Sequence, residues 1–166
     1  MDSANDVETA AVLLVTGLIV GSVAARRRST QFGLRREVAR GSAEIRSLHR
    51  VADLIAHGAA SAEVLFACER ELTELLELAS CDFGDDVPEG LPMLERNGTI
   101  TGGELRFVGR DFALPRAGVA LPVFGRGQRI GAFVLQPGAD VGVSFEQRIV
   151  AVAIADQAGA ALVPLS

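Results

Sequence analysis

The chain has 166 residues, 16 of them basic and 21 acidic, for a formal charge of −5, with two cysteines and neither tryptophan nor tyrosine. A domain runs to roughly 100–200 residues, so these residues hold one domain and an appendage and leave no room for a large multidomain enzyme. Every basic residue is an arginine, which excludes a lysine Schiff base and the lysine of a phosphate-binding P-loop.

Charge is blocked along the chain. Residues 1–25 carry three acids and no base, residues 26–58 eight arginines against three acids, and residues 59–166 eight arginines against fifteen acids. After the short acidic tail of residues 1–8, seventeen uncharged residues run from Thr9 to Ala25. At 1.5 Å per helical residue this is the lower edge of what spans a hydrocarbon core about 30 Å thick. A signal peptide needs positive charge before its apolar run, whereas Asp2, Asp6 and Glu8 stand there. A soluble helix needs a polar face, and only Thr16 and Ser22 interrupt the run. The segment 9–25 therefore reads as a transmembrane helix, with Gly17 and Gly21 in the small-residue spacing of a helix contact. Arg26, Arg27 and Arg28 on its C-terminal flank place the rest of the chain in the cytoplasm, as a single-pass protein of the cytoplasmic membrane.

Residues 26–58 read as a basic linker helix. Leu34, Val38, Gly41, Ile45, Leu48, Ala52 and Ile55 recur at spacings of four and three, the seam of a helix that pairs with another, and so imply a homodimer. The same helix can instead cover the next domain with its second half. Phe32 is the only aromatic between Arg26 and Arg50, the downstream region is acidic, and no helix-turn-helix pattern appears, so nucleic acid is not an expected partner.

The region 59–166 reads as the globular part. Ser61 is expected to cap a helix whose apolar stripe is Leu65, Cys68, Leu72, Leu75 and Leu76, with Glu69, Glu71, Glu74 and Glu77 around the remainder. Cys68 then lies in the buried row as a structural thiol. Neither Cys68 nor Cys81 has a paired histidine, so zinc spacing and a disulfide framework are absent and a reducing compartment is expected. Short strands follow: ASCDF, PMLER and TITGG across Asn97-Gly98, ELRFVG, then GVALPVF and IGAFVLQP joined by GRGQR. Asn-Gly marks a hairpin because both residues tolerate positive φ. Pro122 predicts a free or bulged position in its strand. Gly125, Gly127 and Gly131 join two strands, so they read as a turn and not as a dinucleotide fingerprint. Ser144 and Gln147 form a capping box for a closing helix rich in Ala, Val and Ile that runs to about Val163. The fold expected is α+β: an antiparallel sheet of five or six strands with helices on one face.

Other chemistry-bearing residues take plain readings. Asp82, Asp85, Asp86 and Glu89 form a solvated acidic loop without the spacing of an EF-hand, and no metal site is assigned. His49, in SLHRVAD, lacks the acidic residue and proline of a phosphoacceptor box and reads as a surface histidine. No Ser-His-Asp set or nucleophile elbow is present, and no enzymatic activity is expected.

VALPVFGRGQRIGAFVLQP and the closing FEQRIVAVAIADQAGAAL resemble a GAF domain, a small sensory module, over about Leu48 to Val163. With the preceding apolar and arginine-rich segments, the whole resembles the membrane region and GAF segment of KdpD-like sensor kinases. No phosphoacceptor box or ATP-binding domain follows within these residues, and one apolar segment stands where those kinases carry four. The patterns that mark cyclic-nucleotide, bilin and haem binding in the family are missing, so the resemblance names no cofactor. It implies a membrane-anchored, non-catalytic, dimerising regulatory module that passes a signal to a protein partner, with residues from about 45 contributing to the sensory domain. The alternative is a ligand-free dimerisation scaffold. A small-molecule ligand is expected between the strand face and the loop that carries Phe107, Phe112, Leu114 and Arg116.

Overall fold

The computed structural model of the protein describes residues 46–138 and 140–163, all within the unit Ala43–Ser166. The expected membrane helix at 9–25, the arginines at 26–28 and the linker up to residue 45 lie outside the described residues. None of the described helices is long and apolar enough to cross a membrane.

Among the described residues, three helices and eight strands make an α+β fold. Helix α1 covers residues 46–56. It is followed by α2 (Ser61–Leu76), β1 (Leu78–Gly84), β2 (Met93–Leu94), β3 (Ile100–Thr101), β4 (Arg106–Val108), β5 (Asp111–Ala113), β6 (Val119–Gly125), β7 (Gln128–Pro137), β8 (Gly142–Val143) and α3 (Phe145–Leu162). The main sheet has five strands in the order β1-β7-β6-β2-β3, and a smaller one has the order β4-β5-β8. Two of these strands, β5 and β8, were not expected from sequence. They are three and two residues long, too short for any alternation to show.

The main sheet is mixed, and not wholly antiparallel as expected: Met93 of β2 lies beside Ala120 of β6 in a parallel pair. The amide of Ala120 donates to the carbonyl of Pro92 at 2.8 Å. In that register the next donor on β6 is residue 122, and Pro122 has no N–H, so the β2 ladder ends there.

The core lies between one face of this sheet and the helices. Val119, Leu121 and Val123 of β6 stand opposite Leu135, Phe133 and Gly131 of β7, and Leu135 and Phe133 stand opposite Cys81 and Phe83 of β1. Their side chains join Val64, Cys68 and Leu72 of α2 and Ile154, Ala155 and Ala158 of α3 in one buried cluster. Each fully buried Leu or Phe contributes about 1.5–3 kcal/mol over its exposed state. The β7 residues that reach this core are Phe133 and Leu135, because Ala132 and Val134 belong to the other face. Ile130 is the extra residue where the register shifts between Val123 and Phe124, and it packs on the edge of the core.

The hairpin turns carry their own chemistry. Between β6 and β7 the two loop residues Arg126 and Gly127 have φ of 50° and 80°, the primed turn that matches the twist of paired strands. In the β2–β3 hairpin only Gly98 takes positive φ, at 79°. Asn97 instead accepts hydrogen bonds from the amide of Thr99 at 3.0 Å and its hydroxyl at 2.7 Å, a side-chain turn that holds the loop without a second left-handed residue.

The closing helix begins as its sequence predicts. Ser144 Oγ accepts from the amide of Gln147, and the Gln147 side chain accepts in return from the amide of Ser144. The amide nitrogen of that same glutamine side chain donates to the carbonyl of Leu75 at 2.8 Å, tying α3 to the end of α2. Arg148 donates to the carbonyls of Gly98 and Val143, which fastens the β2–β3 turn to this corner.

Helix α2 departs from expectation at both ends of the argument. Its N-cap is Ala60, without a side-chain cap, and Ser61 is the first helical residue. Glu71, expected on the polar side, is completely buried. Helix α1 covers it: Val51 is fully buried, Ser47 nearly so, and Leu48 and Ile55 pack on the core. The described half of the linker helix therefore belongs to this domain. Its deepest row is displaced by one position from the sequence seam, because Ser47 and Val51 are buried while Leu48 and Ala52 are only partly so.

Candidate functional site

A candidate site grows from the turn after β3 and the strands of the small sheet. Pro92, Gly102 and Gly103 form one wall, Leu105 and Arg106 a second, and the run Ala113 to Ala117 a third, around a cavity of about 590 Å³. That volume suits a small organic ligand. A side chain at Gly103 would press into the rings of Pro92 at 2.7 Å and Pro115 at 2.9 Å, so glycine lets these walls meet.

Its ionisable lining residues are Glu104, Arg106 and Arg116. Arg106 and Arg116 come from opposite sides of the β4–β5 hairpin and converge on Asp140, one on each carboxylate oxygen, with Arg116 Nη2 at 3.2 Å from Oδ2. The hydrogen bond from Arg106, with that from Arg116 behind it, holds the Asp140 carboxyl below the usual carboxylate range. Guanidinium groups stay charged at all ordinary pH. With no histidine, cysteine or hydroxyl side chain among its lining residues, this arrangement can bind and orient, while proton transfer would fall to Glu104 alone.

The four residues singled out from sequence divide into two pairs. Leu114 and Arg116 line the cavity. Leu114 is buried, and the Arg116 side chain is 80% exposed. Phe107 and Phe112 face each other across the β4–β5 ladder with ring centroids 4.1 Å apart, and neither lines the cavity. Phe107 is 70% exposed. The period of two along a strand explains the division: Arg106 and Ala113 are directly paired and both line the cavity, so the neighbouring pair Phe107 and Phe112 turns to the opposite side. That alternation also identifies Arg106, which the sequence reading passed over. Asp140 carried no local signal, since it reaches the arginines from the far end of β7.

A second cavity, of about 550 Å³, lies where β2 and β6 diverge, lined by Met93, Thr101, Pro122, Phe124, Arg96 and Arg129 among others. Arg96 sits 5.7 Å from the centre of the Phe124 ring and pairs with Asp156 of α3, so it acts as a strap from the β2–β3 turn to the helix.

The cysteines are both free and buried. Burial, reinforced by Glu69 and Glu71, pushes the Cys68 thiol up to about 12, and burial also raises Cys81. These thiols are held protonated and hence poorly nucleophilic. His49 is exposed on α1, and His57 is also exposed, with Nδ1 2.7 Å from the Asp53 carbonyl. Among the described residues no group of three or more His, Cys, Asp or Glu is disposed to hold a metal ion.

No protein-family model, curated protein or solved structure matches the chain.

Proposed function

We propose that this protein is a GAF-like sensory module, without catalysis of its own, held at the cytoplasmic membrane by residues 9–25 and acting as a dimer that signals to a protein partner. The observation that carries the reading is the 590 Å³ cavity walled partly by Leu114 and Arg116, on an α+β fold with a five-stranded sheet. Its ionisable lining is confined to two arginines and one glutamate, which favours binding over chemistry. The integration of α1 into the core supports a route for signalling, because a change in the domain would alter the helix that leads to the anchor.

Thermal shift of the full chain against cyclic nucleotides, haem and a set of small metabolites tests the sensory reading, with stabilisation by at least one expected. Separation of cells into membrane and soluble pools tests the anchor. Recovery of all the protein in the soluble pool without detergent would end that part.

The second reading is a ligand-free dimerisation scaffold. Phe66, on the solvent side of α2 and 67% exposed, is the apolar ring through which this reading is tested. Failure of every compound to stabilise the protein, together with loss of dimers in Phe66→Ser, would select the scaffold.

A further inference from the structure

We infer that the cavity beside β4 and β5 takes a compact organic anion, a carboxylate or phosphate monoester bearing a small apolar group, and that the Asp140 carboxylate stands in the position of the ligand's anion. The inference rests on the reading of the domain as a ligand sensor and adds the class of ligand.

Arg106 and Arg116 approach the two oxygens of one carboxylate. Charge-assisted hydrogen bonds from guanidinium groups to anionic oxygens are the contacts by which arginines recognise carboxylates and phosphates, and here two arginines hold one oxygen each. Here the gripped group belongs to the protein, and it is held loosely in energetic terms. The side chains of Arg106, Arg116 and Asp140 are 52%, 80% and 48% exposed, so water competes with each contact and such pairs contribute little to stability. An incoming anion therefore exchanges with Asp140 at small cost.

The surroundings supply what an internal aspartate cannot use. Leu105, Leu114, Pro92 and Pro115 line the cavity next to the two arginines, giving an apolar bed for the rest of a ligand. Leu114 and Arg116 also line a neighbouring cavity of about 370 Å³, together with Pro137, Gly138 and Asp140. Arg116 is thus shared between the two cavities, and Asp140 meets it from the side of the smaller one. With Asp140 displaced, the two arginines outweigh Glu104 by one positive charge, which selects an anion over a neutral or cationic ligand.

The test uses the full chain at low ionic strength, with phenyl phosphate and benzoate as probes and benzyl alcohol as the neutral control, read by titration calorimetry. Asp140→Asn removes the competing carboxylate and keeps its shape. At least one of the two anions is expected to bind this variant about threefold more tightly than the unchanged protein, the modest gain that follows from removing a competitor held by exposed pairs. Arg106→Gln with Arg116→Gln should abolish that binding while the melting temperature, followed by circular dichroism, stays close to that of the parent. Which of the two anions binds more tightly tells carboxylate from phosphate. Absence of binding by both anions to Asp140→Asn, or binding indifferent to loss of both arginines, would overturn the inference. So would benzyl alcohol binding as tightly as benzoate, a result that removes the anion preference but leaves the sensory reading standing. That reading falls separately, when no compound of the wider thermal-shift set stabilises the protein.

Discussion

Arg50 of α1 places Nη1 2.8 Å from Oε1 of Glu71 on α2, and Arg70 reaches the same oxygen at 3.2 Å. Glu71 has no solvent exposure, and its second oxygen has no hydrogen-bond partner. The linker helix is therefore fixed to the domain by a buried carboxylate and a half-exposed arginine, beside the packing of Val51. Removing one member of a buried pair leaves an uncompensated charge. With Arg70 remaining and Arg50 half in water, Arg50→Ala is expected to cost about 1–2 kcal/mol. Glu71→Met keeps the volume and releases both arginines to solvent, so it should be close to neutral or stabilising. Denaturant unfolding of the two variants checks the contrast, and a larger loss for Glu71→Met would contradict it.

Gly159 is where α3 touches β6. A Cβ at this position would overlap the carbonyl of Phe124, and backbone cannot swing aside as a side-chain end can. Alanine is the better helix former by about 1 kcal/mol, yet Gly159→Ala is expected to destabilise the protein by about 1–3 kcal/mol through forced separation of helix and sheet. A rise in the melting temperature of this variant would show that the contact relaxes.

Gln147 serves two ends of the fold, the Ser144 capping box and the Leu75 carbonyl. Ser144→Ala removes one side of the box and should cost about 1 kcal/mol. Gln147→Ala also leaves the Leu75 carbonyl without this donor and should cost more, about 2 kcal/mol. Chemical denaturation distinguishes them by the order of their midpoints.

The cysteines govern alkaline stability. Cys68 ionises only near 12 in the folded protein, against about 8.5 when unfolded, and Cys81 is raised as well. A raised thiol pKa means the unfolded chain loses its protons first as pH climbs. The stabilisation is therefore complete below about pH 8.5 and declines from there towards pH 12. Cys68→Ala with Cys81→Ala should flatten that decline, although the variant starts lower because two packed side chains are lost. In the unchanged protein, thiol reagents at pH 8 should react slowly, and at full rate only after unfolding.

Much of the fold was legible because its signals act over a few residues. The Ser144–Gln147 box, the β6–β7 hairpin around Arg126-Gly127 and the apolar row of Cys68, Leu72 and Leu75 follow from caps, turns and periodicity. Of the candidate site, Leu114 and Arg116 were found from sequence, but Phe107 and Phe112 were grouped with them. Nearness along the chain does not place side chains on one face, because strand alternation sends the two phenylalanines to the other side.

The sequence by itself determined the class of the domain, the order of most elements and the residues of the central hairpin, since local hydrogen bonding and side-chain period decide those. Only the tertiary structure decided that Glu71 is buried, that β2 runs parallel to β6, and that Arg106 and Arg116 share Asp140. Each of these depends on segments far apart in the chain meeting in space. A charged residue reads as solvent-facing until a neighbouring helix covers it, and an aspartate carries no signal until Arg106 of β4 and Arg116 of the turn after β5 arrive at its two oxygens.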